Sequence, residues 1–442
     1  MFCHRLGLNT LSISSHNPSP LQICMDNWLQ QSPIRYHLLL WMCLVLLWGT
    51  SIHPETITLD TEWLIVHNPI LSVHSLDSFS KLWLDLSVGT RLTLGAEYLP
   101  IRDLTVWFDW WLFGESWAGH HLHSLLWYGA SCSLLWSINQ TLFPRTSIVW
   151  LGTLMFMVHP THVESVVWLA SRKDVVSLTF LLLSIRLYLD QKSTWLIGLT
   201  ALLAYWSKNT AIVLGPLLVL LSICHHKESL LNWRWWLQWI PIAIPLAGGL
   251  WLTLKIGASV SMFAEPRGTN AIETLNIASQ TWWQYTSMLL YPTSLSLFYV
   301  EPVVESWSHL NVLAGFTIGL CIIGGAIFAF SRHGILTLSL LTIPLGLLPV
   351  SQITPIQNLM ADRYLLIPSI GLTWLTLVLF QYLQPKFSRS WMLLVLWVLA
   401  LSPVTFKRLQ VFQNDIRLWT DVTVKQPAEI RGWTTKFVVE RG

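Results

Sequence analysis

Between Met157 and Ile185 an apolar run ends at His159-Pro160, and a second apolar run begins after Arg172-Lys173-Asp174. His162 and Glu164 lie between them. Titratable groups wedged between membrane-grade segments are expensive in lipid and face a polar site where they occur. Other residues of the same character follow. Asp60 and Glu62 stand in LDTEWLIVHNPIL, outside the first apolar run, where a carboxylate is placed either as a general base or as a helix N-cap. Lys208-Asn209 splits an overlong apolar stretch, and a lysine there suits a helix turn or a phosphate. Asp362 and Arg363 open another apolar run in NLMADRYLLIPSIGL. The helix dipole accounts for Asp362 there but not for Arg363, so Arg363 is the better ligand candidate. His159, His162 and Glu164 have metal-type chemistry, but a metal asks for three or four convergent ligands. A hydrogen-bonded polar cluster is the simpler reading. Glu164 is then placed to orient a hydroxyl or to pair with Arg172 or Lys173.

The elements that carry these residues are apolar. Of 442 residues, 53% are hydrophobic and 11% charged, against about 25% charged in soluble domains. The chain therefore reads as an all-α polytopic membrane protein. Its 28 Trp flank many of the apolar runs, as indole does at membrane interfaces. The net charge of +3 is dispersed and argues against a nucleic-acid partner. Six Cys without a CxxC pair argue against a disulfide framework or a zinc site.

Eleven apolar runs qualify as candidate spans: 36–52, 119–138, 146–159, 175–189, 194–207, 209–225, 234–256, 308–330, 334–350, 364–383 and 391–407. The first also has the features of a signal peptide, though the many later spans make an uncleaved helix simpler. Residues 1–36 form an irregular tail, with Met25 as an alternative start. Residues 37–407 form the transmembrane domain, and 408–442 a polar helical tail. Loop 53–118 carries nine Asp and Glu against three Lys and Arg. Short loops on the other side carry Arg145, Lys192, Lys227, Arg234, Arg332, Lys386 and Arg389. The positive-inside bias then places the N-terminus inside, with the C-terminus and loops 53–118 and 257–307 outside. Arg172, Lys173, Lys208, Arg267, Arg363, Lys407 and Arg408 fall on the outer side against that bias. Either they meet an anionic ligand such as a lipid phosphate, or they snorkel.

HPTHVESVVWLASRKDVVS resembles the signature HP-x-H-x-E-S-V … R-x-D-V-L-S of bacterial membrane proteins with C-terminal tetratricopeptide repeats. Their eukaryotic relatives are the transmembrane and tetratricopeptide-repeat-containing O-mannosyltransferases. NLMADRYLLIPSIGL is similar to that family's M-A-D-R-Y segment. Weaker likenesses lie in LDTEWLIVHNPIL, in residues 98–126 and in YWSKNTAIVLGPLLVL. The resemblance covers roughly residues 37–435 and implies a GT-C-like fold with about eleven transmembrane helices. It implies hexose transfer from a polyprenyl-phosphate sugar to a protein Ser/Thr hydroxyl, at the periplasmic face of a bacterial inner membrane. No cofactor is firmly implied. On this likeness Asp60 is the base, with Glu62 and Glu164 as further catalytic candidates. Arg172, Lys173, Lys208, Arg267 and Arg363 would hold the donor phosphate. His159, His162, Asp174 and Asp362 would form a supporting polar cluster. The family's second first-loop Asp falls on Thr61, a departure that bears on catalysis. The tail resembles the lead-in to a first repeat. A non-catalytic protein of the same fold, binding lipid-linked sugar or a partner, is the alternative. A transporter comes third, because the charges sit at span ends rather than at mid-bilayer.

Overall fold

The computed structural model describes residues 33–144, 148–226, 233–261, 264–265, 267–300, 308–353, 355–383 and 389–441. The tail up to residue 32, Met25, Arg145, Lys227 and Lys386 lie outside them. The described residues contain helices and no strand. Helix α1 is Pro33–Trp48. The first loop carries three short helices, α2 (Leu76–Trp83), α3 (Val88–Thr93) and α4 (Pro100–Phe113). Next come α5 (Trp117–Leu142), α6 (Val149–Met157), α7 (Val163–Val167), α8 (Arg172–Leu189), α9 (Thr194–Ser207), α10 (Leu214–His226), α11 (Trp233–Leu237) and α12 (Ile240–Ser259). The remainder is α13 (Ala271–Leu290), α14 (Leu310–Phe330), α15 (Gly334–Leu347), α16 (Pro368–Leu383), α17 (Trp391–Val411), α18 (Asp415–Lys425) and α19 (Ile430–Arg441).

Among the described residues each of the eleven apolar runs carries helix, with the run 234–256 broken between Leu237 and Ile240. Four helical segments, Ile34–Ser51, Ile240–Ser259, Leu310–Phe330 and Trp391–Val411, are long and apolar enough to cross a membrane. They expose Leu46, Ile327, Phe328 and Leu399 by 60% or more. Apolar side chains turned outward on this scale fit a lipid-facing surface. Inside, several buried polar groups pair across helices. Trp374 Nε1 donates to Asn139 Oδ1 at 2.8 Å, and Asn139 Nδ2 to Thr153 Oγ1 at 3.2 Å, tying α5, α6 and α16 together.

Helix α8 packs between α5 and α9, α9 against α12, and α13 against α14. Two of these approaches require glycine. A Cβ on Gly198 would lie 2.0 Å from Pro241 O, and one on Gly315 would lie 1.8 Å from Ser279 O. Small residues let helix backbones meet where no hydrophobic force drives them together.

Helix α13 is the element that apolar counting omits. It forms 20 continuous helical residues within the 257–307 segment. Asn270 starts it by accepting from Glu273 N at 3.0 Å. Asn276, Gln280 and Thr281 are buried along it, so its inward face is polar and its hydropathy is diluted. The first loop is likewise folded. Ser75 and Ser78 form a reciprocal cap at α2, and Pro100 begins α4.

Candidate functional site

Asp60 begins a short helical turn that widens to a π-turn over Glu62–Val66. Leu59, immediately before it, has φ 76°, a left-handed conformation costly for a branched side chain. Asp60 is exposed, and its carboxylate accepts no hydrogen bond from the described residues, so it caps nothing. It stands on a cavity of about 80 Å³ together with Trp63, Glu97, Arg102, Lys173 and Arg363. Thr61 is buried, 1% exposed, and does not line that cavity. Glu62 turns to His67, 2.8 Å away, and does not line it either.

The cations that line the cavity are compensated. Lys173 Nζ lies 2.7 Å from Glu97 Oε2, and Arg102 Nη1 lies 3.9 Å from the same oxygen. Burial raises the Glu97 carboxyl, but Lys173 and Arg102 outweigh it and bring its pKa below the ordinary value. Arg102 is fixed by Asp103 at 2.6 Å and by Leu94 O at 2.5 Å. Gly95 and Ala96, with φ 89° and 59°, form the turn that presents Glu97.

Arg363 joins this cavity to a smaller one of about 20 Å³, shared with Asp174, Ser177, Lys208 and Tyr364. Its guanidinium pairs with Glu164, and its backbone N–H donates to Glu164 Oε2 at 3.1 Å. It also lies 5.2 Å from the ring centres of Trp168 and Tyr364. Burial opposes the charged guanidinium, but Glu164 prevails and raises its pKa. Lys208 pairs with Asp174 and sits 5.4 Å from the Tyr364 ring centre. Burial pulls the Lys208 pKa down against the pull of Asp174.

The remaining candidates lie apart from these cavities. Glu164 is fully buried and bound to Arg363 rather than to Arg172 or Lys173. Arg172 is buried among Asp109, Ser124 Oγ (2.9 Å) and His120 O (2.7 Å). Adjacent residues on a helix point about 100° apart, so Arg172 and Lys173 serve different sites. Arg267 braces the turn after α15, donating to Gln352 Oε1 at 2.7 Å and to the Ile356 and Gln357 carbonyls at 2.6 Å. His159 is engaged by Thr161 and Leu289 O, and His162 by Tyr128 and Ser369. Asp362 meets Tyr299 and Arg408, the latter at 3.0 Å. Burial pushes Asp362 up to about 7 despite Arg408, and Glu164 adds to the rise. The His159 and His162 rings lie 5.5 Å apart, whereas Asp174 is drawn to Lys208 and Asp362 to Tyr299 and Arg408, so the four expected members divide among separate contacts. Among the described residues no group of three His, Cys, Asp or Glu side chains is arranged to hold a metal.

Trp63, Glu97, Arg102 and Trp168 belong to the main cavity but not to the candidates read from sequence. The charged pair Arg102-Asp103 opening a largely apolar helix is the available signal.

The arrangement is an apolar helical body with a polar cavity lined by Asp60, whose carboxylate has no hydrogen-bond partner among the described residues, and by Arg102, Lys173 and Arg363, each paired with a carboxylate. Such a cavity can take a proton from a hydroxyl and stabilise a departing anion. The chain is similar to a protein O-mannosyl-transferase of Caenorhabditis elegans, 22% identical over 372 residues. The match takes in 80% of this chain and 53% of the nematode protein, so the chain spans about half the length of that relative. No protein-family profile and no solved structure matches the chain.

Proposed function

We propose that the chain is a GT-C-like membrane glycosyltransferase with about eleven spans. It moves a mannose-like hexose from a polyprenyl phosphate to a protein Ser/Thr hydroxyl on the non-cytoplasmic side. The observation that carries this reading is the shared cavity, in which the Asp60 carboxylate, without a partner among the described residues, stands with Lys173 and Arg363. Asp60 accepts the proton of the acceptor hydroxyl as its oxygen attacks the anomeric carbon. The bond from that carbon to the phosphate oxygen breaks, and the polyprenyl phosphate leaves with the electron pair. Arg363 and Lys173 face the growing charge on the departing phosphate, with Lys208 next to Arg363 in the adjoining cavity. Preorganised cations in a partly dry site favour such charge development without solvent rearrangement. Trp63, 47% exposed beside Asp60, offers an apolar wall to a sugar face.

Thr61 bears on the non-catalytic alternative. Its side chain is buried away from the cavity, so chemistry there depends on Asp60 and not on residue 61. This favours the enzyme over a binding protein. The test is transfer from polyprenyl-phosphate mannose to a Ser/Thr-rich peptide by purified protein in lipid nanodiscs, read by mass spectrometry. Wild type is expected to transfer and Asp60→Asn is not. Absence of transfer by wild type from any polyprenyl-phosphate hexose overturns the reading.

A further inference from the structure

Helix α18 lies outside the apolar body in sequence, yet it touches the two segments that carry the site. It starts at Asn414, whose side chain accepts from Arg417 N at 3.0 Å. This places Asp415 in the first turn, where both carboxylate oxygens accept from the Thr58 backbone N–H, at 3.1 and 3.2 Å. Thr58 is two residues before Asp60, and strained Leu59 lies between them. A left-handed leucine persists only where its surroundings over-determine it. The bond from Thr58 to Asp415 is one such constraint, applied next to the strained residue.

The second contact runs through α17. Asp421 accepts from Arg408 Nη1 at 2.8 Å, and Arg408 Nη2 reaches Asp362 at 3.0 Å. Asp362 immediately precedes Arg363, the cation common to both cavities. Arg408 is 4% exposed and Asp362 fully buried, so water does little to loosen the chain of contacts. A third contact supports the second. Trp419 stacks on Phe298 with ring centres 6.0 Å apart, and Lys425 Nζ donates to Leu295 O at 2.7 Å. That strip carries Tyr299, whose hydroxyl donates to Asp362.

We propose that α18 is a clamp that holds Asp60 and Arg363 in register, with Asp415 and Asp421 as positioning residues of the transfer reaction. The base and the cation come from segments about 300 residues apart, and α18 is bonded to the lead-in of each. The proposal rests on the transferase reading, and its experiment separates the two.

The experiment compares wild type, Asp415→Ala and Asp415→Asn in nanodiscs, using polyprenyl-phosphate mannose and a Ser/Thr peptide. Asp415→Ala removes the acceptor for Thr58 N–H. Its kcat per folded molecule is expected to fall about 10- to 100-fold, the range for a small misplacement of a reacting group. Donor KM is expected to stay within about twofold, since the cations are untouched. Asp415→Asn keeps an acceptor oxygen and is expected to recover most of the loss. A helix that only stabilises the fold would lower the melting temperature and leave kcat per folded molecule unchanged. That result overturns the proposal. Hydrogen exchange on the same samples needs no substrate. Asp415→Ala is expected to speed exchange over residues 57–66 while leaving α8 and α9 unchanged. Should wild type prove inactive, the transferase reading falls alone, and unaltered exchange over 57–66 is what then overturns the clamp.

Discussion

Removing Arg363 tests the donor site most directly, but Glu164 complicates the simple substitution. The Glu164 side chain is fully buried and Arg363 is its cation, itself only 10% exposed. Arg363→Met leaves a carboxylate buried without a counter-charge. Breaking a buried pair from one side costs about 3–5 kcal/mol, enough to unfold a marginal protein. Loss of donor binding by this variant alone would therefore say nothing about the phosphate. Arg363→Met with Glu164→Gln removes both charges at once. It is expected to regain most of that stability, since exchanging a buried ion pair for neutral groups is often near neutral. A charge-assisted hydrogen bond to the donor phosphate is worth roughly 1.5–3 kcal/mol. At about 1.4 kcal/mol per tenfold, donor Kd should rise about 10- to 150-fold in the double variant. Arg363→Lys should recover only part of the affinity, because an ammonium lacks the planar fork. The assays are thermal unfolding in nanodiscs and titration with a fluorescent polyprenyl-phosphate mannose. A double variant with wild-type melting temperature and wild-type donor Kd refutes the phosphate role of Arg363.

Asp60→Asn should lower kcat by on the order of 10²-fold or more with donor Kd unchanged, as for loss of a general base; unchanged turnover would remove Asp60 from the mechanism. Glu97 carries a pH signature. Its folded pKa is depressed, so its contribution to stability is complete above the ordinary value of 4.5 and is lost as pH falls through the lower folded value. Wild type should lose melting temperature below about pH 4.5 more steeply than Glu97→Gln, and parallel curves would contradict the pairing. For topology, cysteines introduced at Leu76, Ile272 and Val424, all exposed, should react with an impermeant maleimide from the non-cytoplasmic side. Reaction at all three only from the cytoplasmic side would invert the proposed orientation.

Composition and hydropathy determined the class. Burying the backbone in lipid leaves the helix as the available form for long apolar runs, and among the described residues every run read from the sequence carries helix. The residue types at the site were also legible, because Asp60, Lys173, Lys208 and Arg363 are charges placed beside apolar segments. Partner choice was not legible. Glu164 meets Arg363 across 199 residues, and Arg172 turns to Asp109 while its neighbour Lys173 turns to Glu97. Side-chain direction along a helix changes by about 100° per residue, so adjacent charges serve different sites only once packing fixes their rotation. Helix α13 escaped for a related reason. Its polar residues lower its hydropathy, and burying them against protein is decided by its neighbours. The link from α18 to Asp60 and Arg363 likewise exists only in the fold, where contacts distant along the chain are brought within hydrogen-bonding reach.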